Sequence, residues 1–217
     1  MRINRYMALA TGMSRRTADA IIAQGEVTVN GRLPQPGQDI SEQDTVHVHG
    51  KQVRPPEATQ TVLLNKPAGY VVSRDGQGNP TVYDLLPTAL HHLKPVGRLD
   101  KDSSGLLLFT NDGALTQQLT HPSFEKEKVY EVTLEKALLP ADRAAIEQGV
   151  QLEDGQSRLQ LSPGASDKRW QVRMHEGRNR QIRRTFAARG YNVTKLQRTQ
   201  FGIYQLGELP IGQHHTI

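Results

Sequence analysis

The sequence Gly97-Arg98-Leu99-Asp100-Lys101-Asp102-Ser103-Ser104-Gly105-Leu106-Leu107-Leu108-Phe109-Thr110-Asn111-Asp112-Gly113 sets a short apolar run between two polar, glycine-bearing turns. A run that short, with glycine on either side, reads as a buried strand from Leu106 to Phe109 with a loop at each end. The preceding loop crowds an arginine, two aspartates, a lysine and two serines together, more polarity than a connection needs. On local pattern, an aspartate beside serine and glycine most often closes an N-cap or an Asx turn, and Asp100 fits that description. Asp112, beyond the run, is placed to cap a helix reaching Thr120, with Pro122 behind it.

Outward from this strand the pattern is mixed, strand-rich and α+β. Thr61 to Leu64 reads as a strand that Lys66-Pro67-Ala68-Gly69-Tyr70 turns, resuming from Tyr70 to Ser73. The loop from Arg74 to Pro80 is rich in glycine but lacks the Lys-Ser/Thr ending of a phosphate-cradling loop. Val82 to Leu86 starts a short helix that Pro87 halts. Tyr130 to Leu134 alternates as a strand, and Pro140 to Gln148 is a helix with Pro at its first position and Gly149 behind it. Trp170 to Met174 is a further strand. Gln181 to Arg189 is a helix that turns Ile182 and Phe186 inward at i, i+4 and ends at Gly190. Val193 to Leu196 and Gly202 to Leu206 complete the sheet.

The first fifty residues have a different texture. Ile3, Tyr6, Met7 and Ala10 fall at i, i+3, i+4 and i+7, one face of a short helix that Gly12 closes. Ser14 can cap a second helix through Gln24 that buries Ala18, Ile21 and Ile22, with Gly25 as its stop. Val27 to Val29 is a strand, Asn30-Gly31 is a strong hairpin signal, and Thr45 to His49 alternates as a last strand. Residues 50–60 are polar with two prolines and suit a semi-rigid linker. Two domains follow from this reading, 1–54 and 60–217. His47 and His49 share a strand face, but two histidines without a third ligand read as surface residues.

The chain has 217 residues, no cysteine and a formal net charge of +5. Lack of cysteine excludes disulfides and thiolate metal sites. No apolar run approaches a membrane span and residues 1–20 lack a signal-peptide core, which fits a cytoplasmic protein. The positive charge is uneven. Between 168 and 198 stand Lys168, Arg169, Arg173, Arg178, Arg180, Arg183, Arg184, Arg189, Lys195 and Arg198, against the single acid Glu176. Arginine offers a planar, bidentate fork for phosphate, and a cluster of this kind points to nucleic acid.

Read whole, residues 97–113 resemble the first signature of the pseudouridine synthases that modify ribosomal RNA: Gly-Arg-Leu-Asp, two variable positions, a Ser/Thr pair, Gly and a Leu-rich run. Leu63-Leu64-Asn65-Lys66-Pro67-Ala68-Gly69, Glu127-Lys128-Val129-Tyr130 and Glu176-Gly177-Arg178-Asn179-Arg180-Gln181-Ile182-Arg183-Arg184 resemble the same family in the same order. The N-terminal helices, with Ser-Arg-Arg-x-Ala-Asp and then Val-x-Val-Asn-Gly, resemble the S4 RNA-binding fold. Together these imply a small S4-like domain followed by a catalytic α+β domain with a mixed, mostly antiparallel sheet. Family members usually close with Gly-x-x-Arg-x-Leu; here Gly212 to Ile217 puts His215 where Arg is expected.

The resemblance implies that Asp100 is the one catalytic carboxylate, acting as nucleophile on the ribose or as base toward its C2′ hydrogen. It implies that Arg183 pairs with Asp100 and that Tyr130 stacks on a flipped uracil. Lys66 and Arg98 are expected to make phosphate or loop-fixing contacts. Arg178, Arg180 and Arg184, with Arg2, Arg5, Arg15 and Arg16 of the first domain, are expected to meet RNA phosphates. Uridine becomes pseudouridine when the N1–C1′ bond breaks, the base turns over and C5 joins C1′. No redox change occurs, so the chemistry demands no cofactor and no metal. Cleaving a glycosidic bond builds positive character on the sugar, which a carboxylate stabilises. The expected partner is a stem-loop of ribosomal RNA, acted on by a monomer with no membrane attachment. The alternatives are a non-catalytic RNA-binding or ribosome-assembly factor, and an N-glycosidase with Asp102 as its second carboxyl.

Overall fold

In the computed structural model, which describes residues 1–56 and 58–217, the strand Ser104–Thr110 is central to a nine-stranded mixed sheet. Leu106, Leu107, Leu108 and Phe109 are all fully buried. Successive side chains of a strand point to opposite faces, so four buried neighbours require cover on both. Leu106 and Leu108 pack with Leu63, Val96, Leu119, Phe201 and Leu206. Phe109 meets the edge of the Tyr83 ring with centroids 5.6 Å apart.

The chain divides into two compact units, Met1–Gln60 with Thr88–Lys94, and Thr61–Pro87 with Pro95–Ile217. In the first, α1 (Ile3–Thr11) and α2 (Arg15–Ala23) precede a small sheet of β1 (Val27–Val29), β2 (Val46–Val48) and β3 (Lys51–Val53). Ser14 caps α2 by accepting from Thr17 N, and Gly12 ends α1 in the left-handed conformation. Ile3, Met7, Ala18, Val27 and Val46 form the fully buried centre of its core.

Three expectations that bear on this unit are corrected. Asn30 and Gly31 do turn the chain with positive φ, but only one bridge, Val29 to Arg32, follows. The strand partner is β2, in antiparallel register Val27↔Val48. Pro34 and Pro36 cannot donate to a ladder, whereas the Asn30 side chain reaches β2's entry by accepting from Thr45 N and donating to Asp44. Lys51 to Val53, read as linker, pairs with β2 across the His49-Gly50 turn. Thr88–Lys94 also belongs here rather than to a continuous second domain: Leu93 is fully buried and Lys94 Nζ donates to Met13 O at 2.8 Å.

The second unit runs β4 (Thr61–Lys66), β5 (Lys94–Val96), β6 (Ser104–Thr110), α3 (Gly113–Thr120), β7 (Lys128–Leu134), α4 (Pro140–Gln148), β8 (Val150–Leu152), β9 (Gly155–Ser157) and β10 (Gln160–Pro163). It ends with β11 (Arg169–Met174), α5 (Gln181–Ala187), β12 (Val193–Phe201), β13 (Tyr204–Gln205) and β14 (His214–Thr216). The sheet order is β10-β11-β7-β12-β6-β4-β14, with β12 parallel to β6 and antiparallel to β7. Asp112 Oδ1 accepts from Ala114 N and Leu115 N at the head of α3. Tyr70 to Ser73 is not a strand, since only Val71 bridges to Thr81. β12 continues to Phe201, past the Leu196 end expected for it, and the second expected piece, Gly202 to Leu206, holds β13. Among the described residues no helix is long and apolar enough to cross a membrane.

Candidate active site

Strands β7 and β12 build the floor of a cavity of about 550 Å³. Tyr130 lies directly opposite Arg198, and directly paired residues project from the same face. Lys128, two residues before Tyr130, shares that face. Phe201, three residues after Arg198, would point away from it in a regular strand. A register shift between Arg198 and Gln200 brings Phe201 opposite Lys128 and so back to the cavity side. All four side chains line the cavity.

The loop before β6 supplies the carboxylate. Lys66 at the end of β4 is fully buried, and its Nζ donates to the carbonyls of Pro67 (3.1 Å), Asp100 (3.1 Å) and Ser103 (2.6 Å). Ser103 N donates to Asp100 O, closing the turn. Two donors therefore hold the Asp100 backbone while its side chain, 33% exposed, lines the cavity. Unlike Asp112, Asp100 caps nothing: among the described residues its carboxylate accepts no hydrogen bond, and its nearest cation is Arg180 Nη1 at 3.7 Å. The Asp100 side chain is thus only half-buried.

Of the two contacts expected of Lys66, phosphate or loop-fixing, the structure gives the second: fully buried, it fixes the loop. Burial pushes its ammonium down to about 8, against the pull of the Asp102 and Asp100 carboxylates. Between about pH 8 and 10.5 the folded state binds fewer protons at this group than the unfolded state, so its contribution to stability rises with pH there. Replacing it takes this donor from the Pro67 and Ser103 carbonyls, while Asp100 O keeps Ser103 N. Lys66→Met is expected to cost on the order of 1–3 kcal/mol per group left unpaired, against about 0.5 kcal/mol or less for Lys101→Met on the surface. Thermal unfolding of the two variants checks this, and equal shifts in Tm would deny Lys66 its anchoring role.

The pairing of Arg183 with Asp100 is also revised. Arg183 Nε lies 3.3 Å from Asp102 Oδ2, its Nη2 donates to Asp102 O and its Nη1 to Val193 O. Arg180 grips the Asp102 carboxylate with both terminal nitrogens, at 3.0 and 3.1 Å, while facing Asp100. Burial alone would raise the Asp102 carboxyl; the Arg180 hydrogen bonds and the Arg183 charge outweigh it and hold it below its ordinary value. Asp102, which the sequence offered only as a weak second carboxyl, is the clamp that sets both arginines around the loop.

Much of the basic run is tied up in the same way. Arg178 donates to Asp154 and Glu176 and to the carbonyls of Gly155 and Gln156, pinning the β8–β9 turn. Arg184 makes a two-pronged pair with Asp154, and Arg189 pairs with Asp142. Arg178 and Arg184 are therefore structural arginines first, a correction to the phosphate role expected of them. Arg98 is exposed on the cavity rim, with no hydrogen bond or ion pair among the described residues. The cavity brings together Asp100, Tyr130, Arg98, Arg178 and Arg180; Lys66, Arg183 and Arg184 are not among its lining residues. Arg2, Arg5, Arg15 and Arg16 lie in the other unit.

Two basic residues of the floor escaped the sequence reading as site residues. Lys128 donates to His175 O and Glu176 O, and burial, then the Arg198 charge, lowers its pKa. Arg198 is 2% exposed. Lys128 stood in the quoted segment Glu127 to Tyr130 and Arg198 in the basic run, but nothing local set either apart from its neighbours.

A model of the RNA pseudouridylate synthase family matches residues 60–188, which contain the Asp100 loop, Tyr130 and Arg180. A Pseudomonas aeruginosa protein named ribosomal large subunit pseudouridine synthase B is 37% identical over 93% of this chain, which spans 55% of that relative's length. A Bacillus subtilis protein of the same name is 36% identical, over 97% of this chain and 89% of its own. A crystal structure of a pseudouridylate synthase superposes with a TM-score of 0.73 at 32% identity, covering 100% of this chain and 96% of that one. With a family match over more than half its length and relatives above 30% identity along nearly all of it, this chain belongs to the RNA pseudouridylate synthase family.

Proposed function

We propose that this protein converts a uridine of ribosomal RNA into pseudouridine in the cytoplasm, with Asp100 acting at the ribose. The observation that carries the reading is a carboxylate that no backbone donor uses, held by its main chain at the edge of a cavity whose floor presents Tyr130. A cavity of about 550 Å³ suits a single nucleoside rather than a duplex. The target uridine leaves its stem-loop and stacks on Tyr130, as extruded bases commonly do on aromatic rings. Asp100 then faces the sugar. As the N1–C1′ bond breaks, the carboxylate either bonds C1′ or removes the C2′ hydrogen, with Arg180 Nη1 3.7 Å away. Arg98 at the rim is suited to a flanking phosphate.

The first unit acts as an S4-like RNA-binding element. Arg2, Arg5, Arg15 and Arg16 are all exposed on or beside its two helices. Removing residues 1–60 is a poor test, because Thr88–Lys94 would lose the unit it packs into. Arg15→Gln with Arg16→Gln leaves the core untouched. This pair is expected to weaken RNA binding and to flatten the slope of log affinity against log salt by about 0.7–0.9 per lost contact, with the rate on bound RNA unchanged. An unaltered slope would remove α2 from the RNA interface.

The activity itself is tested by mapping pseudouridines in ribosomal RNA from cells with and without the protein, and by adding purified protein to unmodified transcripts. Loss of a specific pseudouridine in the cells, restored in the transcript, is the expected result. The relatives' names make large-subunit RNA the first to map. Unchanged maps with no conversion in vitro would overturn the proposal.

A further inference from the structure

The cavity floor holds a cation with no counter-ion. Arg198 is 2% exposed, yet no carboxylate lies within ion-pair distance of it among the described residues. Its Nε donates to Leu106 O at 2.8 Å, its guanidinium carbon sits 4.7 Å from the centre of the Phe201 ring, and its Nη2 is buried without any partner. A buried guanidinium in this state is costly to keep, since burial removes hydration that nothing replaces. Every other arginine that lines the cavity wall by the Asp100 loop is matched to Asp102, Asp154 or Glu176, apart from rim-exposed Arg98. Unmatched polar groups of this kind are characteristic of functional sites.

Its position specifies what the charge faces. Arg198 is the cross-strand neighbour of Tyr130 on the cavity side of the sheet, so a base stacked on Tyr130 lies beside it. Asp100 serves the sugar half of the bond being broken. The other half is the base, which departs with the electron pair of N1–C1′ and becomes an anion spread over N1, O2 and O4. No residue yet assigned meets that anion.

Resting on the function proposed above, we infer that Arg198 is the group that stabilises the uracil anion, its unpaired Nη2 and fixed charge being directed at the base as the glycosidic bond breaks. The guanidinium keeps its protons throughout. The charge it faces is withdrawn when C5 bonds C1′, and N1 ends with one proton gained for the one that C5 loses, so the isomerisation balances without another reagent. A preformed charge of this type, itself 2% exposed, acts on the transition state more than on the neutral substrate. Lys128, whose pKa the Arg198 charge helps to lower, senses the same field from the next position along the floor.

The test compares wild type and Arg198→Gln in single-turnover reactions on RNA carrying uridine or 4-thiouridine at the target. Sulfur makes the departing base a more stable anion, so it needs less help. Arg198→Gln is expected to lose on the order of 10²-fold on uridine and roughly tenfold or less on 4-thiouridine, with RNA affinity retained. Equal losses on the two substrates would show that Arg198 only supports the fold, and would overturn the inference. Arg198→Met gives a second measurement. Removal of an uncompensated buried charge should leave Tm unchanged or raised while activity falls; a large drop in Tm would again assign the residue to structure. Wild-type conversion of the uridine RNA keeps the two readings apart, since its absence would refute the proposed function rather than the part given to Arg198.

Discussion

Asp100→Asn is expected to lower pseudouridine formation by about 10³-fold or more while leaving Tm and RNA affinity close to wild type. The amide has the same size and the carboxylate accepts no hydrogen bond from its loop, so the fold loses nothing that it uses. The backbone of residue 100 stays anchored by Lys66 and by Ser103 N, neither of which contacts the side chain. What disappears is a negative charge at the sugar, and with it both the nucleophile and the base. Single-turnover conversion of a target transcript, read beside a binding curve, separates chemistry from affinity. A variant that converts its substrate at the wild-type rate would remove Asp100 from the mechanism.

The second large effect concerns the seam between β6 and β12. Gly105 has a φ of +100° and faces Arg198 across the parallel pairing. A Cβ built there would lie 2.7 Å from Arg198 N and 2.9 Å from Gln197 Cγ, and would also strike Arg198 O. Backbone atoms in a sheet cannot swing aside as a side-chain tip can, so the strands must part. Gly105→Ala is expected to cost about 4 kcal/mol or more, lowering Tm by roughly 8–16 °C for a chain of this size. Gly113→Ala, which meets nothing within 4 Å at the start of α3, should stay within about 0.5 kcal/mol of wild type. Calorimetry on the pair decides, and similar Tm values would mean that the seam yields more readily than its geometry implies.

What was legible in the sequence was what neighbouring residues decide among themselves. The run Leu106 to Phe109, the Asp112 and Ser14 caps, Pro140 and Gly149 all act within a few residues, and each stands in the structure where its chemistry places it. The ion pairs were not legible. Between 168 and 198 the chain looked unbalanced only because its acids, Asp102, Asp142 and Asp154, come from distant loops and helices. Arg180 and Arg183 face one carboxylate from neighbouring positions, and no local pattern says which takes Asp100 and which Asp102. The displaced register near Thr199, which turns Phe201 toward the cavity, likewise arises from pairing with β7 and leaves no trace in composition. Asn30-Gly31 shows the same division: the turn is local and formed, but the choice of strand partner is not.

The membership of Thr88–Lys94 in the first compact unit has a consequence for synthesis. A growing chain that has released only residues 1–60 lacks Leu93, which is fully buried, and the lysine that binds the carbonyl of Met13. Translation proceeds at roughly 5–20 residues per second, so the missing piece arrives on the order of seconds later. In that interval β4 has already emerged with its apolar residues Val62, Leu63 and Leu64, whose partner β6 is still unmade. The first unit of this protein is finished on the ribosome only after the second has begun.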